Sequence, residues 1–109
     1  MELRLAEQTC WRAWVLEADA VPVGNIWLQL VEKLPNPVLE REVHGYVTNL
    51  FVRDAHRGKG GGSLLLGALL SECESSGVDS AFLWPTPQST PLYERHGFVV
   101  ADAVMLRAL

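Results

Sequence analysis

The residues best suited to chemistry lie between His44 and Ser63. Arg57, Gly58, Lys59, Gly60, Gly61, Gly62 and Ser63 combine two cations with a dense run of glycines. They follow a β-branched and aromatic run, Tyr46 to Val52, and lead into Leu64-Leu65-Leu66-Gly67-Ala68-Leu69-Leu70, a strong helix former. Strand, glycine turn and helix together make an anion site. Without Cβ atoms the backbone approaches a phosphate closely, and the helix N-terminus offers unpaired N–H groups at a positive dipole end. Arg53, His56, Arg57 and Lys59 concentrate positive charge in a chain whose net charge is -4. A local basic patch on an acidic chain suits a small polyanion. A solvated, flexible glycine turn is the plainer alternative.

Spacing narrows the choice of anion. A Walker loop needs Gly-Lys-Ser/Thr, but Lys59 precedes Gly60 and no Ser or Thr follows it. A dinucleotide fingerprint needs a third glycine, and Gly58 and Gly60 are followed there by Ser63. The spacing that remains is Arg57-x-x-Gly60-x-Gly62.

The elements that must position this loop are readable in outline. Met1 to Thr9 has helical composition and is expected as a helix end or a loose tail. Cys10 to Glu17 is apolar on both faces and predicts a strand covered on both sides. Ala18 to Gly24 reads as a turn held by Pro22 and Gly24. Asn25 to Lys33 is a second strand, paired antiparallel to the first. Leu34 to Val43, with Pro35 and Pro37, reads as a loop. His44 to Val52 is the longest strand, antiparallel to its predecessor. A helix from about Gly61 to Ser75 buries Leu65, Leu66, Leu69, Leu70 and Cys73 and ends at Gly77. Ser80 to Trp84 returns after it, parallel to His44–Val52 by a right-handed crossover. Ser89 or Thr90 caps a short helix from Pro91 to His96. Phe98 to Val100 and Val104 to Leu106 close the chain as a strand or a bent strand pair.

The chain is read as a single domain, 1–109, long enough for a real core. Its 49% hydrophobic and 20% charged content is ordinary for a soluble globular protein. No apolar run reaches the roughly 18 residues of a membrane span, and no signal peptide is visible. Net negative charge argues against a nucleic-acid binder. Cys10 and Cys73 lack metal-ligand spacing and read as two buried free thiols of a cytoplasmic protein; no metal is expected.

Pro91-Leu92-Tyr93-Glu94-Arg95-His96-Gly97-Phe98 carries the second signature. Together with Arg57-x-x-Gly60-x-Gly62, in this order and at this distance, it resembles the GNAT superfamily of N-acetyltransferases. Within that superfamily, Tyr46-x-Thr48-Asn49, Pro91-Leu92-Tyr93-Glu94 and the closing Val104-Met105-Leu106-Arg107 resemble a group of small bacterial members. The resemblance covers about Trp11 to Leu109. It implies an α/β (α+β) fold: a mixed, mainly antiparallel sheet with one parallel β-α-β crossover and flanking helices. Most of the family's N-terminal strand-helix-helix is lacking, since some nine residues precede Trp11. That departure implies a fragment, a mis-started product, or a minimal variant completed by another subunit.

The activity implied is acetyl transfer from acetyl-CoA to the primary amine of an unidentified small molecule or protein. Tyr93 is the implied general acid, with a core-packing role as the alternative. Arg57, Gly58, Lys59, Gly60, Gly61, Gly62 and Ser63 are the implied pyrophosphate cradle. Leu50 and Val52 are implied to serve the pantetheine arm through backbone groups, where the strand splays at a bulge. Thr86 stands where many members carry a cofactor-touching Asn. Glu40, Glu42, His44 and Asn49 are candidates for the base, and Trp84 ends its strand near the thioester. The alternative function is a non-catalytic CoA-binding or interaction module completed by a partner. Trp11, Trp14 and Trp27 in a hairpin without covering helices, and an unpaired first strand, predict a homodimer.

Overall fold

The computed structural model describes residues 1–8, 10–33, 42–101 and 105–109, the side chains of residues 7, 8 and 33 excepted. Its elements are β1 (Glu2–Gln8), β2 (Trp11–Ala18), β3 (Val21–Lys33), β4 (Glu42–Val52), a 3-10 turn (Asp54–His56), α1 (Gly61–Ser75), β5 (Ser80–Phe82) and α2 (Thr90–Arg95). The strands form one sheet in chain order. The first four run antiparallel to their neighbours and β5 lies parallel to β4, across the α1 crossover. This is the mixed α+β architecture anticipated.

Strand alternation divides the apolar residues between two faces. Trp14, Leu16, Ile26, Leu28 and Val47 turn toward α1 and are buried against Leu65, Leu66, Leu69 and Cys73. Arg12, on the same face, reaches up to an ion pair with Glu72 of α1. The opposite face carries Trp11, Trp27, Tyr46 and Phe82 in ring contact with one another. Both faces of the hairpin are apolar because each packs its own cluster.

Several expected boundaries move. Glu2–Gln8 is a strand, not a helix end: it pairs along its whole length with β2. Seven residues are too few to hold a helix alone, whereas the exposed edge of β2 offers a full ladder. The edge of the sheet is therefore β1, not β2. The β2–β3 connection is two residues, Asp19 and Ala20, at φ 50 and 63, the double positive φ of a type I′ hairpin turn. Pro22 and Gly24, expected to hold the turn, lie within β3. There Leu16 opposes Gly24 and Glu17 opposes Pro22, so Val23 bulges out and Pro22 is tolerated. β4 begins at Glu42, and β5 ends at Phe82, short of Trp84. Phe98 to Val100, expected as a strand, pairs with no strand among the described residues; Val99 and Val100 are exposed. Met105 and Leu106 likewise form no strand. Val104 and the candidate base Glu40 lie outside the described residues.

Candidate functional site

The site starts from a register fault. Asn25 pairs with Phe51 and Trp27 with Thr48, so Asn49 and Leu50 together oppose Ile26 alone. Asn49 sits at φ 55, a left-handed conformation that Asn reaches more readily than most side chains. Such a bulge bends the strand and strengthens its twist. On its other edge β4 pairs with β5 only from His44 to Tyr46. Beyond Tyr46 the two parallel strands part. A cavity of about 230 Å³ opens in the gap, lined by Tyr46, Thr48, Asn49, Leu50, Trp84 and Tyr93 among others.

A second cavity, of about 500 Å³, lies beside it over the glycine loop. Leu50, Val52, Arg57, Gly58, Gly60, Gly61, Gly62 and Ser63 all line it; Lys59 does not. Leu50, Thr86 and Ser89 line both cavities. The path from the glycine loop to Tyr93 is thereby continuous along one wall.

The four glycines are not equivalent. Gly58 and Gly60 take φ 76 and 80, and a Cβ at either would meet nothing within 4 Å. They are glycines for the backbone turn, and Gly60 forms the N-cap of α1. Leu64 is the first helical residue whose amide finds the helix ladder, at 3.0 Å from Gly60 O. The amides ahead of it have no carbonyl in the preceding turn of helix to bond, which leaves donors for an anion. Gly61 and Gly62 are glycines for packing. A Cβ would come within 2.6 Å of Leu16 Cδ2 at the first and 3.2 Å of Leu92 Cδ2 at the second.

Arg57 works partly as a fastener. Its Nε donates to Val52 O at 3.0 Å, and its Nη1 lies 3.1 Å from Asp54 Oδ1. The loop is thus tied to the end of β4. Ser63 makes no side-chain cap; its Oγ lies 2.7 Å from His96 Nε2.

Tyr93 is buried on α2, at 8% exposure, with Phe98 edge-on at 5.7 Å. Burial pushes its phenol above the ordinary tyrosine range, and a hydrogen bond with the Ser89 side chain draws it partly back. The proton is therefore firmly held at neutral pH. Thr86 and Ser89 brace each other ahead of α2. The Ser89 amide donates to Thr86 Oγ1 at 3.2 Å, and the Thr86 amide donates to Ser89 Oγ at 2.9 Å. This is the reciprocal arrangement of a capping box, with serine in the place of glutamate.

Of the candidate bases, Asn49 lines the cavity at the splay. Glu42 and His44 do not line it. His44 Nε2 lies 2.7 Å from Glu42 Oε1, and its Nδ1 lies 2.5 Å from Ser80 Oγ, at the end of β4 away from the bulge. His56, from the basic patch, also lines the larger cavity, and several further lining residues were not anticipated: Gln88, Ser89, Leu92 and Arg95. Arg95 adds a cation to the larger cavity from α2; the signal for it was its place on the same short helix as Tyr93.

The sequence matches the acetyltransferase (GNAT) family over residues 1–98. No curated protein matches it. Among solved structures, a predicted acetyltransferase with acetyl-CoA from Clostridium acetobutylicum is 19% identical and superposes with a TM-score of 0.80. A GCN5-related N-acetyltransferase from Ralstonia eutropha is 28% identical, with a TM-score of 0.78. Glucosamine-6-phosphate N-acetyltransferase from Arabidopsis thaliana is 18% identical, with a TM-score of 0.78. Each alignment covers 91% of this chain, which spans 64%, 65% and 67% of those chains respectively.

Proposed function

We propose that this chain, which belongs to the GNAT acetyltransferase family, moves the acetyl group of acetyl-CoA onto a primary amine. The observation that carries the reading is the splay of β4 from β5 at the Asn49 bulge, continuous with the glycine-loop cavity. A long ligand with an anionic middle and a slender arm suits that shape. The open space over Gly58 and Gly60 suits a pyrophosphate against the backbone, and Arg95 and His56 border the same cavity.

Acetyl-CoA brings the activated thioester carbonyl. The residues do the rest. The amides at the start of α1 bind phosphate oxygens. Leu50 offers backbone groups freed by the bulge to the pantetheine arm. Val52 O is shared with Arg57, and a carbonyl has a second lone pair to give. Tyr93 holds its proton by burial and gives it to the departing thiolate sulfur as the amine nitrogen bonds to the carbonyl carbon and the C–S bond breaks; the nitrogen sheds one proton to solvent, and solvent returns one to the Tyr93 phenolate. The raised pKa keeps the phenol protonated but makes it a weaker acid than a free tyrosine; against a thiol that titrates near 8.5, the proton has to move as the C–S bond breaks, while negative charge builds on sulfur.

The test is acetyl-CoA binding followed by product formation. A ligand selective for the folded state raises the melting temperature, so acetyl-CoA should shift it, and mass spectrometry should find an acetylated amine. Gly60→Val places a β-branched side chain in the left-handed region at the cradle. A folded Gly60→Val protein with an undiminished shift would remove the glycine loop from the site.

A further inference from the structure

Resting on the acetyl-transfer reading, we infer that the amine acceptor carries an aromatic ring, and that Tyr46 and Trp84 form the wall that receives it. Tyr93 and Asn49 line the cavity at the splay together with Tyr46 and Trp84. Tyr46 and Trp84 meet edge-to-face with centroids 5.5 Å apart. Phe82 backs both, stacked on Tyr46 at 5.4 Å and edge-on to Trp84 at 5.9 Å. Trp11 extends the row from the far side of Tyr46, at 6.2 Å.

Two features turn this cluster from packing into a receiving wall. Trp84 lies past the end of β5, and 61% of its surface is exposed although it is held by two ring contacts. A tryptophan kept in place yet uncovered leaves a large apolar face for another molecule. The remaining lining, Val47, Thr48, Asn49, Leu50, Thr86 and Ser89, is neutral, so the described wall selects by shape and ring contact, not by charge. Added aromatic pairs gain more than their buried area alone supplies, through offset or edge-on geometry. A ring seated on the exposed face of Trp84 would carry its amine toward the cavity that Tyr93 also lines.

Phenethylamine and spermidine separate the alternatives. With acetyl-CoA saturating, we expect phenethylamine to be acetylated with roughly 10-fold or greater preference in kcat/KM over spermidine, on the scale of one ring contact. Trp84→Ala should raise the KM for phenethylamine roughly 10-fold, raise the KM for acetyl-CoA far less, and be largely rescued by Trp84→Phe. Binding provides a readout independent of turnover: phenethylamine should quench tryptophan fluorescence of the CoA-loaded protein, with the quench diminished in Trp84→Ala. Equal or better use of spermidine, or a KM and quench indifferent to Trp84→Ala, overturns the aromatic acceptor. Absence of any thermal shift with acetyl-CoA overturns the acetyl-transfer reading beneath it instead.

Discussion

Ser63 Oγ and His96 Nε2 lie 2.7 Å apart, joining the first turn of α1 to the end of α2. The pair couples the glycine loop to the helix that carries Tyr93. The amides that would hold phosphate and the phenol that would hold the proton are therefore parts of one braced unit. Gly62 and Leu92 close the same seam by packing. His96→Ala removes the polar bridge but not the apolar contact. We expect a folded protein, destabilised by about 1 kcal/mol in urea titration, with acetyl-CoA binding weakened several-fold by calorimetry. Unchanged affinity would mean that the loop is shaped without α2.

The proton of Tyr93 gives a pH prediction. Burial raises its folded-state pKa, and Ser89 offsets part of the rise. The acid form thus persists through neutral and mildly alkaline pH. Any alkaline fall in kcat owed to this residue should begin only above about pH 10. Tyr93→Phe should lower kcat by roughly 100-fold while leaving the KM for acetyl-CoA nearly unchanged. Wild-type turnover in Tyr93→Phe would assign the ring to the core beside Phe98.

The bulge makes a separate prediction through strain. Asn49 holds φ 55 at an exposed position. For most L-residues the left-handed region costs about 1–2 kcal/mol, and a β-branched side chain fares worst there. Asn49→Val should lose at least about 1 kcal/mol of stability, whereas Asn49→Gly should be neutral or stabilising. Equilibrium unfolding of the two variants decides it. Equal stability would show that the bulge relocates along β4.

The contrast between these residues marks what could be read before any coordinates. Leu65, Leu66, Leu69 and Cys73 announce α1 by their spacing, and the runs from Trp11 and Asn25 announce strands by alternation. Arg57-x-x-Gly60-x-Gly62 announces the turn between them. These signals are local, and the structure keeps them. The strand at Glu2–Gln8 was not legible, because its stability comes from the edge of β2 and not from its own composition. The turn at Asp19-Ala20 was hidden for a related reason: neither residue is glycine, yet strand pairing forces both to positive φ. Through-space partnerships were equally silent. Nothing in Ser63 points to His96, and nothing in Arg57 says that its guanidinium is partly spent on Val52 and Asp54. The gap between β4 and β5 emerges only when register is known, since a bulge is a difference between two strands.

Cys10 and Cys73 complete the predictions, since their environments oppose each other. Cys10, expected to be buried, is exposed just ahead of β2, with Gln29 Nε2 3.4 Å from its sulfur. Cys73 is buried on the face of α1 that packs against the sheet. Desolvation raises its pKa, the Glu72 carboxylate adds to the rise, and Arg12 opposes it. Thiolate is the reactive form, so at neutral pH a maleimide should label Cys10 promptly and Cys73 only after denaturation. The same shift affects stability. Cys73 keeps its proton in the folded chain beyond the pH at which the unfolded thiol, near 8.5, begins to lose it. The sign follows from linkage: the unfolded state releases protons first, so stability is retained below that pH and falls as pH rises through the folded value. Tyr93, raised in the same direction, adds its own loss from about pH 10. Urea midpoints measured across pH 7 to 10.5, in a range set by these reference values, should therefore decline on the alkaline side. In Cys73→Ala the decline between about pH 8.5 and 10 should flatten. A midpoint that held steady in the parent protein, or that fell identically in Cys73→Ala, would place the alkaline sensitivity elsewhere.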